Sequence, residues 1–216
     1  RITAIVPQKK RSGRFNIYLD NRFGFAIDEN NLAQSRLKVG QTLTDLQAEK
    51  FIGKNQQGIL QEAALRFLSY RPRSEKEVID YLVKKIATGE NIKFHQAKES
   101  PLIKKVIVKL KKYNYLNDQE FAKWLVSSRI RSSTRGPLYL KLELKTKGVD
   151  PDIIESILEG SVDELKMAKS ALAKLAKKWH NLSPIDLKKK VYQYLASRGF
   201  SYETIKGAFA NLPKKD

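Results

Sequence analysis

Any chemistry in this sequence must come from its cations, because other reactive groups are sparse. There is no cysteine, which excludes a disulfide framework and a thiolate metal site. The imidazoles are His95 and His180 alone. Neither has an Asp, His or Cys partner at the spacing of a metal site or a catalytic triad. Ser and Asp fall mainly at helix starts, where bonding to backbone N–H groups accounts for them. The string GKNQQG at 53–58 lacks the GxxxxGK[ST] order of a phosphate-binding loop. No catalytic, metal-binding or cofactor-binding residue is expected, and the chain is not expected to be an enzyme.

Lys and Arg, by contrast, number 42 against 23 Asp and Glu, for a net charge of +19 over 216 residues. Such an excess costs self-repulsion and points to a polyanionic partner, with plain solubility as the competing account. It is uneven: residues 1–58 carry a balance of +5 and residues 59–216 one of +14. The cations also recur at helix ends. Arg71 and Arg73 lie in YRPR, Arg129, Arg131 and Arg135 in RIRSSTR, and Lys177 and Lys178 in KKWH. Lys84 and Lys85, then Lys141, Lys145 and Lys147, then Lys188, Lys189, Lys190 and Arg198 follow in later segments. Lys104, Lys105, Lys109, Lys111 and Lys112 crowd another. A helix C-terminus favours a cation by about 0.3–1 kcal/mol, which explains one per end but not two or three. The candidate nucleic-acid- or filament-binding residues are therefore Arg71, Arg73, Lys84, Lys85, Lys104, Lys105, Arg129, Arg131, Arg135, Lys141, Lys145 and Lys147. Tyr70, Tyr113, Tyr115, Tyr139 and Tyr192 stand near them and either stack on bases or pack inside. With no sequence-reading motif, contact with the phosphate backbone is the simpler expectation.

Two kinds of element must position these groups. In residues 15–19 and 23–27, Phe15, Ile17 and Leu19, then Phe23, Phe25 and Ile27, alternate with polar or small residues. With Asp20-Asn21-Arg22 as the link, they predict a β-hairpin. Ile2–Val6 is a third strand, Val39-Gly40 a turn, and Thr44 with Gln47 a capping box for a short helix toward Ile52. GKNQQG reads as a linker. From residue 59 the apolar period is helical. Arg71-Pro72 ends one helix, and Ser74 with Glu77 opens another. Residues 87–100 read as loop. Ser100-Pro101, Asn117 with Glu120, Pro137, Asp150-Pro151, Ser161 with Glu164, Ser183-Pro184, and Ser201 after Gly199-Phe200 open the rest, the last helix covering roughly 202–211, with a break at 132–136. One stripe runs from Leu165 to Trp179.

Leu144, Gly148 and Ile154 recur 51 residues on as Leu195, Gly199 and Ile205. A third copy is stretched: Leu82 matches Leu144 at an offset of 62, whereas Val106 and Ile107 match Ile153 and Ile154 at 47. The 15-residue difference is an insertion near 87–100. The fold expected is mainly α. It is an elongated, curved array of three tandem three-helix repeats at 59–117, 118–160 and 161–213, after a small β-containing module at 1–55. No apolar run reaches the ~20 residues of a membrane helix, and no signal-peptide pattern opens the chain. A soluble, cytoplasmic protein is expected.

The string LNDQEFAKWLVSSRIRSSTRGPLYLKLELKTKGVDPDII (116–154) resembles the central signature of the RecX family, regulators of the bacterial recombinase RecA. The residues that carry the likeness are Leu116-Asn117-Asp118, Phe121-Ala122, Arg129, Gly136-Pro137, Leu142-Glu143-Leu144 and Lys147-Gly148-Val149. ALRFLSYRPRSEKEVIDYLVKK (64–85) resembles the family's first unit, and the first fifty-odd residues resemble the longer N-terminal extension of its Gram-positive members. The resemblance implies a non-catalytic regulator of recombination and the SOS response, and a monomer is expected. Its partners would be the RecA filament and single- or double-stranded DNA, bound in the filament groove, with strand exchange and ATPase activity usually inhibited. The alternative is a general DNA- or RNA-binding helical array with no RecA partner.

Overall fold

The computed structural model describes residues 1–9, 12–132, 135–173, 175–179 and 182–212, and for 160, 161, 176 and 177 the backbone alone. The chain forms two compact units. One comprises Arg1–Tyr70 with Ile79–Tyr115, the other Arg71–Val78 with Leu116–Asp216.

The first unit opens with an antiparallel sheet of β1 (Ile2–Pro7), β2 (Arg14–Leu19) and β3 (Arg22–Asp28), in that order. Asp20 and Asn21 make the hairpin turn with φ of 47° and 66°. Short polar side chains tolerate that left-handed conformation, and paired positive φ angles match the strand twist. The alternation expected of β3 fails at one point. The register shifts between Ile17 and Tyr18, so Phe25 faces Ile17 but Phe23 faces Tyr18. That bulge leaves Phe23 59% exposed, its ring edge-on to Tyr18, while Phe25 and Ile27 join Ile2, Ile17 and Leu37 in the core.

Asp28 caps a short helix, α1 (Glu29–Ser35). The Thr44–Gln47 capping box opens α2 (Asp45–Ser69), which runs without interruption through 53–58. A linker expected there is helix instead. The reason is tertiary: the guanidinium of Arg14, buried on β2, donates to Asn55 and to Glu62 at 3.3 Å, tying this stretch to the sheet. α3 (Glu75–Glu90), α4 (Phe94–Lys98) and α5 (Pro101–Lys112) follow. The expected loop at 87–100 is thus largely helical, being the last turn of α3, a reversal at Asn91 (φ 53°) and α4. Within this unit α2 packs on α5 and on β3. Phe67 and Tyr81 stack at 4.2 Å.

Leu116–Asp216 of the second unit holds two helical sets, one of three helices and one whose first helix is divided in two. α6 (Asp118–Ser132), α7 (Pro137–Thr146) and α8 (Pro151–Ser161) bury Phe121, Leu125, Leu140, Leu144, Ile154 and Ile157 together. α9 (Glu164–Ala173), α10 (Ala176–Trp179), α11 (Pro184–Ala196) and α12 (Tyr202–Ala210) do the same with Leu172, Val191, Leu195 and Ile205. The stripe expected to be one helix over 165–179 is divided between α9 and α10, with Trp179 edge-on to Tyr194. Asp163 caps α9 through the N–H of Lys166, and the side chain of Ser161 lies outside the described residues. Glu164 instead receives hydrogen bonds from Ser201 and Thr204 at the start of α12. Of the expected break at 132–136, Ser133 and Thr134 lie outside the described residues.

The repeated stop is the same device twice. Gly148 and Gly199 have φ of 78° and 79°, and the N–H groups of Val149 and Phe200 donate to the carbonyls of Leu144 and Leu195, both at 3.2 Å. The unit uses these ends as seats. The Ser74 hydroxyl donates to the Lys147 carbonyl at 2.7 Å and the Lys76 ammonium to that of Thr146 at 2.9 Å. The N–H groups of Gly136 and Leu138 donate to the carbonyls of Arg198 and Gly199 at 2.8 and 3.1 Å. In both cases the start of one second helix satisfies the unpaired carbonyls at the end of the next repeat's second helix.

Candidate nucleic-acid interface

The twelve candidate cations divide between the units. In the first, Lys84 and Lys85 project from α3 and Lys104 and Lys105 from α5, all exposed and, among the described residues, without an ion pair. The period of each helix explains this. Leu82, Val83, Ile86 and Ala87 on α3, and Ile103, Val106, Ile107 and Leu110 on α5, take the buried face and leave Lys on the other.

In the second unit most of the candidates are engaged with carboxylates or rings. Arg71 forks onto Glu77 at 3.0 and 3.1 Å, and Lys147 reaches the same carboxylate at 2.7 Å. Burial alone would raise the Glu77 pKa. Hydrogen bonds from Arg71 and Lys147, and their charges, outweigh it and bring the group to about 2. Arg71 also lies over the Trp124 ring, 5.4 Å from its centre. Arg73 stands beside this cluster, and burial and then the Arg71 charge lower its proton affinity. Arg129 makes three hydrogen bonds to Glu143, which raise its pKa further. Lys141 pairs with Glu155. Arg135 stacks on Tyr139 at 3.8 Å. Arg131 and Lys145 are exposed and unpaired among the described residues.

Of the five tyrosines, Tyr139 is covered by Arg135, and Tyr192 packs on Tyr202 and Phe209 with Lys188 over it. Tyr70, Tyr113 and Tyr115 are left open to solvent. The carboxylates that hold these cations escape a reading by cation pattern. Glu77, six residues from Arg71, has a local signal in its capping box. Glu143 and Glu155 lie 14 residues from their partners and have none. His95 is exposed on α4, and His180 lies outside the described residues. Among the described residues, no group of three His, Cys, Asp or Glu could hold a metal, and no helix is long and apolar enough to cross a membrane.

Sequence profiles of one family account for most of the chain. The N-terminal domain of Regulatory protein RecX matches 1–44, and the first, second and third RecX three-helix domains match 62–92, 117–158 and 162–209. The chain belongs to the RecX family. Regulatory protein RecX of Bacillus subtilis (strain 168) is 38% identical over 98% of this chain and 76% of its own length. RecX of Listeria monocytogenes serovar 1/2a is 32% identical over 96% and 74%. A crystal structure of regulatory protein RecX superposes with a TM-score of 0.73 at 27% identity, covering 97% of this chain and 98% of that one. RecX from Lactobacillus salivarius gives 0.61 at 28%, covering 72% and 96%. The mainly α fold of three-helix repeats behind a small sheet is thus a RecX fold.

Proposed function

We propose that this RecX-family regulator acts on homologous recombination and the SOS response. It binds in the groove of the RecA–DNA filament and restrains strand exchange and ATP hydrolysis. The module at 1–55 and the repeats at 59–117, 118–160 and 161–213 are its working parts. It acts as a monomer in the cytoplasm, without catalysis. The observation that supports this reading is the set of exposed, unpaired cations on a RecX fold: Lys84, Lys85, Lys104 and Lys105 in one unit, Arg131 and Lys145 in the other. Charges left in water without partners add nothing to folding, and they suit phosphates. Arg71, Arg129, Lys141 and Lys147 contribute by holding their unit together rather than by meeting DNA.

The test is a RecA strand-exchange and ATPase assay with increasing amounts of this protein. Both rates should fall, and the effect should weaken in the Arg131→Ala/Lys145→Ala and Lys104→Ala/Lys105→Ala proteins. Unchanged rates at saturating protein would overturn the reading. Equal affinity for bare DNA and for the filament would favour a general nucleic-acid binder.

A further inference from the structure

We infer that α5 and the two tyrosines at its end form a binding site for single-stranded nucleic acid, in which lysines hold the phosphates and Tyr113 and Tyr115 stack on bases. This rests on the nucleic-acid part of the function proposed above but not on RecA.

Three observations carry it. The first is charge placement. Lys104, Lys105, Lys109 and Lys112 are all exposed on a twelve-residue helix that contains no acid. Lys105, Lys109 and Lys112, spaced i, i+4 and i+7, share a face with Lys104 beside them. Lys at the C-terminal turn suits the helix dipole, but Lys104 and Lys105 sit near the N-terminal end, where the dipole disfavours a cation. The helix dipole does not call for them.

The second observation is the cap. Asn114, at φ 56°, closes α5 as Gly148 and Gly199 close α7 and α11, and the Tyr115 N–H donates to the Leu110 carbonyl at 2.9 Å. In the two glycine caps the residue after the left-handed position tucks into the core, Val149 being 4% and Phe200 3% exposed, and after Asn91, which closes α3 in the same way, Ile92 is half-buried. Tyr115 occupies the same place and is 58% exposed. Third, Tyr113 on the other side of Asn114 is also 58% exposed, and among the described residues neither ring packs on another ring or lies under a cation. Two open aromatic faces at the end of a lysine-lined helix fit unpaired bases on a phosphate track. A duplex keeps its base faces stacked and offers only phosphates and the base edges in its grooves, neither of which gives an aromatic ring a face to stack on.

The test is equilibrium binding of the full chain, without RecA, to short labelled oligothymidylate and oligouridylate, to an abasic strand of equal length, and to a duplex. Either base-bearing strand should bind roughly tenfold tighter than the abasic one, in line with stacking on aromatic rings. Tyr113→Ala/Tyr115→Ala should remove that margin and leave duplex affinity and the salt slope as they were. Tyr113→Phe/Tyr115→Phe should keep it. Lys104→Ala/Lys105→Ala should flatten the single-strand salt slope by about 0.7 for each phosphate that is no longer neutralised. Equal affinity for abasic and base-bearing strands, or an equal loss on duplex in the Tyr→Ala protein, overturns the proposal. Circular dichroism of each variant separates a lost site from a lost fold. Because RecA is absent, failure here leaves the strand-exchange test standing, and failure there leaves this one.

Discussion

Glu77 gives one carboxylate three tasks. It receives the N–H of Ser74 at 3.4 Å in the capping box of α3, the fork of Arg71, and the ammonium of Lys147. Its side chain is 14% exposed, so the pairing is worth more than a surface bridge, about 1–2 kcal/mol after solvent screening is allowed for. The folded pKa of about 2 lies below the ordinary 4.5. The stabilisation is therefore complete above pH 4.5 and is lost as pH falls toward 2. Glu77→Gln keeps the cap but loses the charge. It should lower stability by about 1–2 kcal/mol at neutral pH and flatten the acid limb, read by thermal melts across that range. Arg129 and Arg131 make a matched pair of opposites. Arg129→Ala removes a half-buried fork onto Glu143 and should cost about 1–2 kcal/mol. Arg131→Ala should leave the melting temperature unchanged and weaken DNA binding. In sequence the two arginines look alike. What separates them is a carboxylate 14 residues away, which no local pattern announces.

At the scale of the element, α2 is where local reading and tertiary structure part. GKNQQG has no apolar period and two glycines, so it looks like a linker. Yet Gly53 and Gly58 are helical, and a Cβ added at either meets nothing within 4 Å. Gly58→Ala should therefore raise stability by up to about 1 kcal/mol, whereas Gly58→Pro should cost about 3 kcal/mol. A true linker would tolerate both, and denaturant midpoints decide it. The helix starts follow local chemistry: Thr44, Asp150, Ser183 and Ser201 all cap as their types and positions suggest. The seats between second helices are not legible in sequence. A Cβ at Gly136 would lie 2.5 Å from the Gly199 carbonyl oxygen, and one at Gly199 would lie 2.7 Å from the Tyr139 nitrogen. Gly136→Ala should lower the urea midpoint of the second unit by the equivalent of about 2 kcal/mol or more, since backbone on both sides must move.

For the whole molecule, the net charge of +19 is the quantity that governs association. The count of cations overstates the binding surface, because Arg71, Arg129, Lys141 and Lys147 are neutralised within their own unit. Six of the twelve candidates remain exposed and unpaired among the described residues: Lys84, Lys85, Lys104, Lys105, Arg131 and Lys145. If each neutralises one phosphate, the log–log salt slope for duplex binding should be about −5. A slope near zero, measured from low to moderate salt, would mean that the charge serves solubility.

The sequence by itself determined what depends on neighbours in the chain. Helical and strand periods, caps and the left-handed glycine stops arise from interactions within about five residues, and they are readable along with the family signature. Tertiary structure alone decided which cations are free, that 53–58 is helix, and that Phe23 turns outward. Each of those depends on a partner brought near by folding: Glu143 for Arg129, Arg14 for Asn55, and the strand opposite for Phe23. A one-dimensional pattern does not encode such distances.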